Sequence, residues 1–166
     1  MDYKTFRHLP IVAALFFKYF YAVKKQKKAK VENKMLQVAI VDDSAIIRDR
    51  IADRISTIDG TEVAWLAEDL HDSFAAFRKS SADAIILDIQ LPSGSGIEFL
   101  EHVKQTNKDV VVIMLTNYPI NQFRKRCFDS GADYFFDKST EFDKVFLVLK
   151  SLADKSENKN LIEGKI

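Results

Sequence analysis

One cysteine, five glycines and three prolines are all that this 166-residue chain has of the residues that staple, loosen or break a fold. A lone thiol, Cys127, cannot close an internal disulfide or build a cysteine zinc site, so a reducing compartment is the simple reading. So little glycine and proline leaves no room for a low-complexity linker. A glycine-rich phosphate loop is missing too: Gly94-Ser95-Gly96 is a lone pair of glycines with Phe99 where a third should stand, and no Gly-Lys-Ser/Thr occurs. Gly-x-Ser-x-Gly, the mark of a serine hydrolase, is absent. His8, His71 and His102 fall on an extension, a helix start and a helix face, and are read as solvated. With a net charge of +1, no overall field favours nucleic acid.

That balance conceals an uneven distribution. Residues 1–34 hold nine basic residues and two acidic ones, and the remainder holds sixteen against twenty-two. Within the basic part, residues 9–23 (LPIVAALFFKYFYAV) are apolar apart from Lys18. As a helix they would span about 22 Å against a hydrocarbon core of about 30 Å, too short to cross comfortably, and the lysines that follow occupy the place of a signal cleavage site. Two readings of 1–34 stay open. One is a membrane-interfacial segment, with Phe16, Phe17 and Phe20 immersed and residues 9–30 touching anionic lipid. The other is a disordered extension, or the product of a misplaced start codon ahead of Met35.

From Met35 onward, apolar runs at 36–41, 62–67, 83–88, 110–115 and 133–137 alternate with amphipathic stretches. Most runs are continuous rather than alternating, as strands covered on both faces should be. The stretches between them place Ile47, Ile51 and Ile55, then Phe74 and Phe77, Ile97, Leu100 and Val103, Ile120, Phe123 and Cys127, and finally Phe142, Val145, Phe146, Leu149 and Leu152 at spacings of three or four. Each set makes one buried helix face. Five strands and five helices in alternation predict an α/β fold, a doubly wound parallel five-stranded sheet over 35–153. A polar tail at 154–166 follows, with no output domain expected after it.

In such sheets chemistry collects at the carboxyl ends of the strands. The first strand ends in Asp42-Asp43, the third in Asp88, the fourth in Thr116 and the fifth in Lys138. Taken singly, Asp42, Asp43 and Ser44 suit the start of a helix and Asp88 suits a turn. Together, three carboxylates on one rim repel one another unless a cation sits among them. Hard oxygen donors without histidine or cysteine point to Mg²⁺. Mg²⁺, a lysine and a threonine hydroxyl around a further carboxylate are the parts for phosphoryl transfer to that carboxylate.

The motifs VDDS (41–44), LDIQLPSGSGIEFL (87–100), MLTNYP (114–119) and GADYFFDKS (131–139) together resemble the receiver domain of two-component response regulators. The resemblance implies a flavodoxin-like sheet of order 2-1-3-4-5. It implies Asp88 as phosphoacceptor, Asp42 and Asp43 as organisers of Mg²⁺ with Asp43 the more direct ligand, and the backbone carbonyl of Gln90 as a further ligand. Lys138 and Thr116 would contact the phosphoryl oxygens, and Phe135 would be the aromatic switch that turns inward when Thr116 is drawn away. A sensor histidine kinase or a histidine phosphotransfer protein would be the donor, and a protein target the recipient of the signal. A cytoplasmic, stand-alone signalling module, not itself an enzyme in the usual sense, is the expectation.

Ser139 stands where many family members have proline, which excludes a cis Lys-Pro bond. Asn117, where a small residue is commoner, and the bulk of Gln90 and Tyr118 suggest slow loss of the phosphoryl group. A haloacid-dehalogenase-like phosphatase would need an aspartate where Gln90 stands. The alternative from another class is a pseudo-receiver that binds its partner without phosphorylation.

Overall fold

The computed structural model describes residues 35–163, so the expectations for residues 1–34, a helical extension among them, lie outside the described residues. Five strands form one parallel sheet: β1 (Leu36–Val41), β2 (Thr61–Ala67), β3 (Ala84–Leu87), β4 (Val111–Thr116) and β5 (Tyr134–Asp137). Their order is β2-β1-β3-β4-β5, so the chain runs outward from β1 to one edge, crosses back beside β1 and proceeds to the other edge. The helices between and after them are α1 (Ala45–Ser56), α2 (Leu70–Lys79), α3 (Gly96–Thr106), α4 (Asn121–Asp129) and α5 (Phe142–Glu163). No described helix is long and apolar enough to cross a membrane.

Alternation along the central strands divides the core in two. Ala39, Val41, Ile85, Leu87, Val112 and Met114 face α2, α3 and α4. Val38, Ile40, Ala84, Ile86, Ile113 and Leu115 face α1 and α5. Both faces are apolar because both are covered, which is why β1, β3 and β4 read as unbroken hydrophobic runs.

The helical spacings mark the buried faces, although Ile47, Phe123 and Leu152 on them are only partly buried. Phe74 and Phe77 are only partly buried; they pack edge-on against Phe99, at 5.2 and 5.9 Å between ring centroids. Ile120 is not on the buried face of α4 but precedes the helix as its N-cap residue, 52% exposed. The helix α5 continues to Glu163, ten residues past the boundary at 153. Residues 154–163 contain no glycine or proline to stop it.

Candidate phosphoryl-accepting site

The crossover on either side of β1 leaves a crevice at the carboxyl ends of β1, β3 and β5, and three sequence-predicted residues meet there. The Lys138 ammonium lies 2.6 Å from Asp42 Oδ2 and 2.6 Å from Asp88 Oδ2. Both carboxylates are buried, Asp42 at 2% exposure and Asp88 at 6%. Asp43 is exposed, yet a carboxylate oxygen from each of Asp42, Asp43 and Asp88 lies within 4.8 Å of the others.

Local chemistry explains these positions. Ser44 caps α1 by accepting from the Ile47 amide at 3.4 Å, and Asp42 Oδ1 accepts from the Ser44 amide at 3.1 Å. The capping reading therefore holds for Ser44 and in part for Asp42, but not for Asp43. Asp88 is set by its own amide, which donates to Val41 O at 2.9 Å across the sheet. Gln90 donates its amide to Asp88 Oδ1 at 3.4 Å and opens a two-residue antiparallel ribbon, Gln90–Leu91 with Gly94–Ser95. The ribbon returns the chain to α3, whose first residue, Gly96, passes so close that a Cβ there would lie 1.9 Å from Asp88 O. Only glycine fits that approach.

Burial disfavours the charged form of Asp42, and the hydrogen bond and charge of Lys138 do not fully offset it, so its pKa stands above the ordinary carboxylate value. Burial also presses Lys138 toward neutrality, but two hydrogen-bonded carboxylates outweigh it and raise its pKa. The two directions agree once the stoichiometry is counted: one ammonium shared by two buried carboxylates neutralises neither completely. The excess of negative charge, with Asp43 beside it and only oxygen donors in the cluster, fits a hard cation such as Mg²⁺. A second acidic group, Asp69, His71 and Asp72, is accounted for by helix capping, since Asp69 accepts from the Asp72 amide at 2.8 Å.

Thr116 is fully buried at the end of β4; its hydroxyl accepts from the Tyr118 amide at 3.2 Å, and its carbonyl accepts from the Lys138 amide at 2.9 Å. It joins the cluster through backbone alone. Phe135, expected to turn inward when Thr116 is drawn away, is already inside at 3% exposure, tilted against Phe128 at 6.5 Å. The guanidinium of Arg124 covers its ring at 4.5 Å and donates to Phe135 O at 3.2 Å. Arg124 was not anticipated, because a basic residue on an exposed helix carries no signal of what it folds over. Arg48 was missed as well: it donates to Asp42 O at 2.6 Å and pairs with Glu68 at 3.4 Å. Its place one helical turn after Ser44 was the available clue.

A doubly wound sheet with an acidic rim, and a lysine just past the last strand reaching it, is an arrangement suited to accepting a phosphoryl group. The family model of the response regulator receiver domain matches residues 38–150, and the chain belongs to that family. Similar proteins include the response regulator GacA of Pseudomonas viridiflava, 26% identical over 63% of this chain and 49% of that protein. Another is the protein-glutamate methylesterase/protein-glutamine glutaminase of Treponema denticola, 30% identical over 70% of this chain and 32% of that protein. The chain spans about half the length of the curated relatives it matches. The CheY-like receiver domain protein of Methanospirillum hungatei superposes with a TM-score of 0.67 at 24% identity, covering 75% of this chain and 98% of that one. That likeness establishes the fold. Family membership places the chain in two-component signal transduction, in which receiver domains accept phosphoryl groups with the help of Mg²⁺.

Proposed function

We propose that this protein accepts a phosphoryl group on Asp88 from a phosphohistidine of a sensor kinase or phosphotransfer protein, and signals through the protein-binding surface around α4 and β5. The observation that carries this reading is the Lys138 ammonium bridging Asp42 and Asp88 with Asp43 alongside. In the transfer, the P–N bond of the phosphohistidine breaks with its electron pair returning to the imidazole, and a P–O bond forms to an Asp88 carboxylate oxygen. Oδ2 is engaged by Lys138, whereas Oδ1 has a single long hydrogen bond from the Gln90 amide, which makes Oδ1 the nucleophile. Asp42, Asp43, Asp88 and the carbonyl of Gln90 would hold Mg²⁺, which would supply positive charge against the phosphoryl oxygens. Lys138 then pairs with those oxygens, and the Thr116 hydroxyl gives up its place under the Tyr118 amide to hydrogen-bond one of them.

Because Phe135 is already inside, its part is to register a change in its surroundings rather than an outside-to-inside rotation. The same observation favours a second reading, a module whose binding surface is set without phosphorylation. One experiment separates them. Incubation with Mg²⁺ and acetyl phosphate, followed by intact mass measurement, should show one added phosphoryl group on the wild type and none on Asp88→Asn. An unlabelled wild type would establish the phosphorylation-independent reading.

A further inference from the structure

We propose that Asp137 is the residue that positions Lys138 for phosphoryl transfer, by clamping the turn that leads from β5 into α5. This rests on the phosphoacceptor reading above.

The carboxylate of Asp137 closes back onto the two residues after the lysine. Its Oδ1 accepts from the Ser139 amide at 2.8 Å and from the Ser139 hydroxyl at 2.7 Å, and its Oδ2 accepts from the Thr140 hydroxyl at 3.0 Å. Its backbone closes the same turn from the other side: the Asp137 amide donates to Glu141 Oε2 at 3.1 Å, and its carbonyl accepts from the Glu141 amide at 2.8 Å. Those donors hold the Asp137 carboxyl below its ordinary range, the Ser139 hydroxyl foremost, and keep it ionised as an acceptor. Residues 137–141 thus form a closed ring with Lys138 as the member that points into the site.

Such a ring is needed because the partners of the ammonium are the groups that the reaction rearranges. Before transfer Lys138 pairs with Asp88 Oδ2; afterwards it must meet phosphoryl oxygens built onto that same carboxylate. Its place therefore has to be set by backbone. On the amino side this is done by the Lys138 amide on Thr116 O at 2.9 Å. On the carboxyl side a proline would fix φ through its ring, but Ser139 stands there and has no such restriction. In return it has an amide and a hydroxyl to donate, and Asp137 receives both. This is a turn stiffened by an aspartate side chain in place of a pyrrolidine ring.

The test compares the phosphorylation rate with acetyl phosphate at saturating Mg²⁺ and, by calorimetry, Mg²⁺ affinity. Asp137→Ala should be about tenfold slower, since misplacement by a fraction of an ångström suffices for such a loss. Its Mg²⁺ affinity should stay within about twofold of wild type, because none of the three acidic residues is on this turn. Asp137→Asn, which keeps Oδ1 as an acceptor, should stay within about threefold of the wild-type rate. Adding Ser139→Pro to Asp137→Ala should recover most of the lost rate. A wild-type rate in Asp137→Ala overturns the inference, as does a parallel loss of Mg²⁺ affinity and rate that neither Asn nor Pro relieves. Should Asp137→Ala fail to fold, the double variant Ser139→Ala/Thr140→Ala changes only exposed side chains and removes two of the three donors. About a threefold slowing supports the clamp and an unchanged rate rejects it. A wild type that takes up no phosphoryl group sinks the phosphoacceptor reading and this inference with it, whereas a labelled wild type beside an equally fast Asp137→Ala sinks the inference alone.

Discussion

Replacing Lys138 by methionine removes the ammonium between Asp42 and Asp88 while keeping most of the bulk. Each of its two contacts is 2.6 Å long, which at an effective dielectric constant of about 20 amounts to roughly 6 kcal/mol of attraction. The cost of burying the three charges, several kcal/mol apiece, consumes most of that, so the intact triad contributes little net stability. Its disruption is another matter. Without the lysine, two carboxylates remain buried with oxygens within 4.8 Å, a repulsion of about 3.5 kcal/mol by the same arithmetic, unless one takes up a proton. We expect a loss of about 3–5 kcal/mol at pH 8, the usual cost of orphaning a buried partner, and a melting midpoint lower by roughly 10–20 °C. The sign of the pH dependence follows from Asp42. Its pKa in the folded protein is raised, chiefly by burial, so it binds its proton more tightly folded than unfolded, and stability falls as pH climbs through the raised value. Removing Lys138 pushes that value higher still. In the wild type the raised lysine keeps its contribution up to and beyond its ordinary value of 10.5, so the wild type loses nothing from it in this range. The deficit of Lys138→Met should therefore widen from pH 5 to pH 8 in thermal melts followed by circular dichroism without divalent metal. A deficit below about 1 kcal/mol at pH 8, or one larger at pH 5 than at pH 8, would refute the reasoning.

Two further outcomes follow from the same site. Gly96→Ala sets a methyl group 1.9 Å from Asp88 O, where backbone must move, so urea unfolding should show a loss above about 3 kcal/mol and acetyl phosphate labelling should fall with it; a near-native midpoint would mean that the ribbon yields. Mg²⁺ at about ten times its dissociation constant should stabilise the wild type by about 1.4 kcal/mol, and Asp43→Ala, an exposed position, should abolish that response without lowering metal-free stability; an equal response in both proteins would remove Asp43 from the metal site.

How much of this was legible beforehand depended on whether the information was local. Strand positions, their parallel pairing and the five-strand alternation came from unbroken apolar runs such as AIIL at 84–87, because a strand covered on both faces has no freedom to place polar residues. The functional aspartates were legible for a related reason: each ends a strand, and strand ends in a doubly wound sheet share a rim. The polar stretch after Ala153 continues as helix to Glu163, because residues 154–163 contain no glycine or proline to stop it. Ile120 was misplaced because a spacing of three looks the same whether it starts inside a helix or one residue before it.

What the amino-acid order determined by itself is the alternation of elements, the two apolar faces and the list of acidic, hydroxyl and basic residues at the strand ends, since each depends on neighbours in the chain. Tertiary structure alone decided that Lys138 serves Asp42 and Asp88 at once, that Arg124 lies over an already buried Phe135, and that Asp137 closes on Ser139 and Thr140. The first two join groups more than ten residues apart, and the third depends on how a five-residue turn is shaped by the helix that follows it. The first two are set by where whole elements pack, and no short-range pattern encodes them.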